Sequence, residues 1–142
     1  GFFDILHRGH VTLLVEAKKL GDVLVVGVDH DDNARILKGP NRPINDHDSR
    51  MFVLANLEPV DYVFMIGSYK KEYLSGGNRV VRKYYNRVYL DLKPDIVATC
   101  VKAGIHGDLK KKQADLVGAR FVDIDHGIYN NTTETIKILG IN

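Results

Sequence analysis

Two closely spaced histidines are the first residues that could carry out chemistry. His7 and His10 stand three residues apart, with Gly9 between them, just before an amphipathic stretch. An imidazole can donate a hydrogen bond to charge that develops on a phosphoryl oxygen, and a helix N-terminus favours an anion. Because Gly9 lets the backbone approach a ligand closely, segment 1–10 suits a phosphate-binding turn. An isolated histidine pair is more often incidental to a capped helix, so the pair alone does not decide the function.

Zinc binding is a weaker interpretation of the same pair, because a credible zinc site needs three or four ligands. The remaining histidines are scattered without ligand spacing: His30, His47, His106 and His126. We therefore expect no metal held by protein side chains. The sequence also lacks G-x-x-x-x-G-K-[ST] and G-x-G-x-x-G, the motifs of P-loop kinases and of dinucleotide binding.

The elements that must position the histidines alternate between helix and strand. The apolar pattern predicts helices at 10–20, 46–57, 78–92, 109–117 and 132–139, and strands at 23–28, 60–66, 95–101 and 120–124. The stretches 29–45 and 67–77 are predicted as loops, the first with at most one short helical turn. We expect an α/β fold, an open parallel sheet with helices on both faces and ligands beyond the carboxyl ends of its strands.

Composition limits the class of protein. The chain has 142 residues, 20 Lys plus Arg and 18 Asp plus Glu, which gives a formal net charge of +2. This length suits one domain. Its apolar runs are too short for a membrane span, its single cysteine precludes an intrachain disulfide, and we see no basic stripe. We expect a cytoplasmic protein with neither a membrane nor a nucleic-acid partner.

The ten-residue context of the histidines carries a family resemblance. Gly1-Phe2-Phe3-Asp4-Ile5-Leu6-His7-Arg8-Gly9-His10 fits G-x-F-D-x-x-H-x-G-H and resembles the signature of the cytidylyltransferase-like nucleotidyltransferases. The resemblance continues through 38–45, 49–54, 60–63 and 92–95, and it is weakest at 67–89 and 104–115. The middle stretch is most similar to heptose 1-phosphate adenylyltransferase, and glycerol-3-phosphate cytidylyltransferase is the near neighbour.

The resemblance implies a fold and a reaction. The fold is a Rossmann-like, doubly wound parallel sheet, here one nucleotidyltransferase domain over residues 1–142. The reaction transfers a nucleotidyl group from a nucleoside triphosphate, with ATP favoured, to a phosphorylated sugar or similar acceptor and releases pyrophosphate. Mg²⁺ is expected as a cofactor that is held mainly by the triphosphate, and a homodimer is expected. A CTP-dependent enzyme for glycerol, alditol or alcohol phosphates and a non-catalytic nucleotide-binding module remain alternatives.

The resemblance also implies site residues. It gives catalytic roles to His7, His10, Lys38 and Arg50. It implies nucleotide contacts from Gly1, Phe2, Phe3, Gly9, His10, Lys102, Gly104, Asp108, Asn131, Thr132 and Thr133. Substrate contacts are expected from Asp4, Arg42 and Arg50.

Several positions depart from the family pattern. Phe2 stands where a small residue is usual, Asn131 replaces a serine, and segment 125–130 differs from the usual lead-in to the last helix. The lysines at 110–112 are expected on a solvated helix face, and Tyr84, Tyr85 and Tyr89 in helix packing or at a subunit interface. Since the signature glycine is residue 1, we expect the central strand of the sheet to precede Gly1 in the full-length protein.

Overall fold

The computed structural model describes residues 1–101, 107–125 and 132–140. The elements in chain order are α1 (Arg8–Lys18), β1 (Val25–Asp29), α2 (Asp31–Lys38), α3 (His47–Ala55), β2 (Tyr62–Ile66), α4 (Lys70–Gly76), α5 (Asn78–Leu92), β3 (Ile96–Thr99), α6 (Gly107–Val117), β4 (Arg120–Asp123) and α7 (Thr132–Ile138). They form two compact units. The first contains residues 1–68 and the described C-terminal residues, and the second contains the described residues between 69 and 125.

The first unit is built on a parallel pair of strands, β1 and β2, in register from Val25 opposite Tyr62 to Asp29 opposite Ile66. Its buried core consists of Leu14, Val26, Val28, Leu54 and Val60. In β1, Gly27 lies against the neighbouring strand so closely that an added Cβ would stand 2.9 Å from the Phe64 ring. The close fit of β2 against β1 therefore depends on a glycine at position 27.

Gly1 lies beside the free edge of β1. Its nitrogen donates to the carbonyl of Gly27 at 2.6 Å, and its carbonyl accepts from the backbone N–H of Asp29 at 2.9 Å. This is the bonding pattern of one residue in a parallel strand. The backbone groups of Leu24 and His30 bond to β2 instead. Because peptide groups alternate along a strand, Gly1 is on the opposite edge of β1 from β2.

The second unit is built on a second parallel pair, β3 and β4, in register from Ile96 opposite Arg120 to Thr99 opposite Asp123. Val97, Ala114 and Ala119 form its small core. Tyr69 is fully buried, and its ring lies 5.7 Å from that of Tyr84. The helices α5 and α6 pack on each other within this unit.

The α/β class, the parallel pairing and the predicted helices and strands are confirmed. Two loop predictions were wrong. α2 fills eight residues of the first loop, because the ring of His30 accepts from Asp32 N–H at its start and Ala34 is buried. α4 fills part of the second loop. The described strands form two two-stranded sheets instead of one continuous sheet. The strand expected before Gly1 stays a prediction.

The helical spacing of apolar residues predicts that Val53 and Leu92 lie on the inner faces of their helices, and both predictions were wrong. Val53 is 45% exposed and Leu92 is 44% exposed, while the Arg50 guanidinium takes a buried place on the inner face of α3. Helical spacing did not reveal that a charged residue belongs on the buried face. Within the described ranges, no helix is long and apolar enough to cross a bilayer.

The two sides of α3 offer a stability test. Leu54→Ala removes a fully buried side chain and should lower the free energy of unfolding by about 2–5 kcal/mol. Phe52→Ala on the same helix changes a side chain that is 72% exposed, and it should shift stability by about 0.5 kcal/mol or less. Urea denaturation measures both. Equal losses in the two variants would contradict the described core.

Candidate active site

The signature turn brings the two histidines together at the start of α1. The His7 backbone is extended, and its carbonyl accepts from the N–H groups of His10 and Val11. The imidazoles of His7 and His10 stack with their centroids 3.8 Å apart, and the Phe3 ring lies 5.2 Å from that of His10. Phe3 has a φ of 48°, in the left-handed region that a phenylalanine rarely adopts. Such strain is characteristic of residues held in place by surrounding contacts.

Asp4 supplies some of those contacts. It is 4% exposed, and its carboxylate accepts from the N–H groups of Ile44 and Asn45 at 2.9 Å. The Arg42 guanidinium also pairs with it, at 3.0 Å through Nε and 2.8 Å through a terminal nitrogen. The Asn45 amide donates to the Asp4 carbonyl at 2.8 Å. Asp4 therefore fastens segment 42–45 to the signature turn.

Arg50 joins that turn to the loop before α3, to the end of β1 and to the start of α2. Its side chain is fully buried, and Nε donates to the Asn45 carbonyl at 2.9 Å. One terminal nitrogen donates to the Phe2 carbonyl at 2.6 Å. The other donates to the Asp29 carbonyl at 2.7 Å and to the Asp31 carboxylate at 2.8 Å. A buried guanidinium with this set of acceptors acts as a positioning group for the backbone around it.

Two histidines extend this network beyond Asp31. His47 Nδ1 lies 3.2 Å from the Asp31 carboxylate, and the His30 and His47 rings are 4.6 Å apart. Burial raises the pKa of Asp31, but the hydrogen bond from Arg50 and the neighbouring His47 imidazole outweigh that effect and hold the pKa below its usual value. Asp31 is therefore an anion at neutral pH and a matched partner for Arg50.

A buried amide links the carboxyl ends of β1 and β2. Asn33 is fully buried, and its side chain donates to the Gly67 carbonyl at 3.0 Å, just after β2. It also reaches the Asp29 carboxylate at 3.5 Å, at the end of β1. Ligands of parallel sheets bind at this edge. The same edge carries the signature turn, because Gly1 lies beside the end of β1.

Lys38 ends α2 and is exposed. Its ammonium lies 5.9 Å from the centroid of the Phe2 ring, at the outer limit of a cation–π contact. Phe2, which departs from the family pattern, therefore provides an aromatic face beside the lysine that the resemblance assigns to phosphate binding. The contact keeps a positive charge next to the signature turn.

The predicted site residues fall into three groups. Gly1, Phe2, Phe3, Gly9, both histidines and Lys38 lie at or beside the signature turn of the first unit. Asp4, Arg42 and Arg50 lie beneath that turn and bind each other's segments, so the structure describes them as a framework, and their contacts to a substrate stay a prediction. Asp108 is exposed in the first turn of α6, in the second unit. Thr132 and Thr133 begin α7, while Lys102, Gly104 and Asn131 lie outside the described residues.

Sequence reasoning missed three members of the framework: Asp31, Asn45 and His47. The signal for Asp31 was the polar run from Asp29 to Asn33 directly after a buried strand, which was interpreted as loop. His47 and Asn45 gave no pattern, because their partners are distant in sequence. Within the described ranges, no group of three or more His, Cys, Asp or Glu residues could hold a metal ion.

Removing the buried guanidinium should destabilise the first unit. Arg50→Met leaves Asp31 and three backbone carbonyls without their donor, and breaking a buried ion pair in this way costs about 3–5 kcal/mol. The control is Arg35→Met, which removes an ion pair to Asp32 from a side chain that is 49% exposed and should cost about 0–1 kcal/mol. Thermal and urea unfolding measure both. An Arg50→Met protein as stable as the control would contradict the framework role.

Comparison with known proteins places this geometry in a family. A family model described as cytidylyltransferase-like matches residues 1–134. The bifunctional protein HldE of Pseudomonas savastanoi pv. phaseolicola is 40% identical over 136 residues, which cover 95% of this chain and 25% of that protein. HldE of Nitratiruptor sp. is 59% identical over 63 residues, 44% of this chain and 14% of that protein. The chain thus spans a quarter or less of the length of these relatives.

A solved structure extends the likeness to the whole fold. The lipopolysaccharide core biosynthesis protein from Thermoplasma volcanium GSS1 matches with a TM-score of 0.64 and 32% identity, over 92% of this chain and 93% of that chain. The matched family region includes the complete histidine signature and nearly every described element. From its signature, its fold and these matches, the chain belongs to the cytidylyltransferase-like family.

Proposed function

We propose that this chain is a nucleotidyltransferase that joins the nucleotidyl group of a nucleoside triphosphate to a phosphorylated sugar. The observation that carries the proposal is the stacked His7–His10 pair at the start of α1, within a complete family signature. ATP is the favoured triphosphate, because the middle of the sequence resembles the sugar-phosphate adenylyltransferases. The likeness to a lipopolysaccharide core biosynthesis protein supports a sugar-phosphate acceptor.

The reaction needs positioning and charge stabilisation. A phosphate oxygen of the acceptor attacks the α-phosphorus, a new phosphorus–oxygen bond forms, and the bond to the bridging oxygen of the leaving pyrophosphate breaks. The nucleophile is already an anion, so no general base and no covalent enzyme intermediate is required. His7 and His10 would donate hydrogen bonds to the α-phosphoryl oxygens, and the N-terminus of α1 favours negative charge there.

Lys38 would contact the phosphates from the end of α2, while the Asp4 and Arg50 network keeps the turn in place. Mg²⁺, when bound to the triphosphate, neutralises part of its charge. The carboxylates next to the turn are engaged by protein donors, Asp4 by Arg42 and Asp31 by Arg50. This engagement supports a metal that is held through the triphosphate and not by a carboxylate cage.

Two further properties belong to the proposal. A homodimer is supported by exposed apolar side chains on α3 and β2, which pack together: Phe52 is 72% exposed and Tyr62 65% exposed. The tyrosines of α5 are poorer interface candidates, because Tyr84 and Tyr85 lie against Tyr69. A cytoplasmic location is supported by the single buried cysteine, Cys100.

A substrate matrix tests the function. Four nucleoside triphosphates are each mixed with hexose, heptose, glycerol and alditol phosphates, and pyrophosphate release is measured. We expect release that requires both substrates and is fastest with ATP and a sugar 1-phosphate. Fastest release with CTP and glycerol phosphate would favour the alternative cytidylyltransferase. Nucleotide binding without release in any combination would favour the non-catalytic module.

The histidine pair has its own test. His10→Ala removes one donor to the developing charge and should lower kcat by about 10²–10³. Thermal unfolding should stay near the wild-type value, because His10 is only half-buried. Lys19→Ala, which removes an exposed side chain at the opposite end of α1, is the control and should retain wild-type kcat. A His10→Ala enzyme with near-wild-type turnover would overturn the assignment.

A further inference from the structure

The outward face of α5 carries a row of cations. Arg79, Lys83 and Arg87 repeat every four residues, which places them about 6 Å apart along the helix. Arg82 lies beside this row. These four residues, which we call the basic face, line a shallow hollow of about 330 Å³ together with Asn86 and Leu90. All of the lining residues belong to one helix, so the hollow is an open surface without the walls that enclose a small molecule.

The opposite face of α5 anchors the helix within the second unit. Val81 is buried, and the rings of Tyr84 and Tyr85 lie 5.7 Å and 6.5 Å from that of the buried Tyr69. Asn86 accepts a hydrogen bond from the buried Gln113 of α6 at 3.3 Å. These contacts fix the rotation of α5 about its own axis. The packing of the second unit therefore determines that the basic face points outward.

The charge of the basic face is largely uncompensated by the described residues. Arg79, Arg82 and Lys83 form no salt bridge within the described part of the chain. Arg87 pairs with Asp91 at 2.8 Å, but both side chains are mostly exposed, and such a pair is weak. The imbalance extends to the whole segment. Residues 69–125 contain twelve Lys and Arg against seven Asp and Glu, a formal net charge of +5.

We propose that the basic face docks this chain reversibly on an anionic lipid surface. A cluster of four or more Lys and Arg on an amphipathic helix is the arrangement that anionic headgroups attract, with about 1 kcal/mol from each cation near the surface. The face is open, so it fits an extended surface. Leu90, at its end, is 45% exposed and can enter the headgroup region. This docking does not depend on catalysis.

The same observations disfavour two other partners. Single-stranded nucleic acid binds where aromatic side chains stack bases among the cations. Here the tyrosines of α5 pack inward, Tyr84 and Tyr85 against Tyr69, and Tyr89 against the core of the second unit. A specific protein interface has a centre that is depleted of charge and rich in aromatic residues, whereas the centre of this face is Arg82 and Lys83. The basic face offers electrostatic attraction but no apolar centre, and this combination suits a lipid surface whose anionic headgroups can move laterally.

The basic face corrects one expectation from the sequence, which was that the chain has no basic stripe. The net charge of +2 conceals it, because twelve of the 20 Lys and Arg residues lie within residues 69–125, while the Asp and Glu residues are spread evenly along the chain. Peripheral docking also departs from the expected lack of a membrane partner. That expectation rested on the short apolar runs, which exclude a spanning helix and say nothing of surface attraction.

Vesicle co-sedimentation of the full chain tests the proposal. We expect binding to vesicles of equal parts phosphatidylcholine and phosphatidylglycerol at low salt, and none to phosphatidylcholine alone. Binding should disappear at about 1 M salt, where the Debye length falls to about 3 Å. The double variant Arg82→Glu, Lys83→Glu should bind at least about tenfold more weakly, since each cation contributes roughly a factor of five.

Lys111 and Lys112 of α6 supply a matched control. They are also adjacent, exposed and helical in the second unit, so Lys111→Glu, Lys112→Glu changes the net charge by the same amount. This control should retain vesicle binding. Equal losses in both double variants, or no binding by the wild-type chain, would overturn the proposal. So would tighter binding to single-stranded DNA or to a polyglutamate chain than to vesicles, because either result identifies another partner class.

Discussion

The architecture of the first unit depends on one buried charge, the guanidinium of Arg50. A guanidinium has five N–H groups and no acceptor, so its burial is tolerable only where oxygen atoms converge on it. Here three backbone carbonyls and the Asp31 carboxylate do so. The acceptors come from the signature turn, from the end of β1 and from the loop before α3. Satisfying this one side chain therefore requires all of these segments to be in place at once.

This constraint separates the charged residues that hold the backbone from those that remain at the surface. Charges beneath the turn, Asp4 and Arg50, are saturated by protein partners and hold the backbone, including the strained Phe3. Charges beside the turn remain at the surface, as Lys38 does, where a phosphate can reach them. A residue that acts on a ligand must have donors to offer it, and a saturated guanidinium has few. Family resemblance does not separate these two classes, because both are parts of the same motif pattern.

The sequence predicted the features that depend on interactions between nearby residues, and it did not predict those that depend on contacts between distant ones. α5 was predicted at its observed bounds, because apolar periodicity and the terminal Pro94 are local signals. The helix α3 was also predicted, and its start is equally local, since Asp46 accepts from the Ser49 N–H only three residues away. The framework was not predicted, because Asp4 bonds to residues about forty positions distant and Arg50 reaches Phe2 across 48. α2 was underestimated because its polar sequence resembles a loop until its cap and the burial of Ala34 are known.

Like the hydrogen bonds of the framework, the arrangement of charges in this chain depends on the fold. The net charge of +2 indicates neither the buried ion pair of Asp31 and Arg50 nor the cations on α5, because both depend on where the side chains point. Along the sequence, Arg79, Arg82, Lys83 and Arg87 are interspersed with the Tyr84–Tyr85 pair and do not form a run. In the helix, the cations and the two tyrosines lie on different faces. The tyrosines pack against the buried Tyr69, and the cations face outward. The packing of one aromatic cluster thus creates the charged surface on the other side of the same helix.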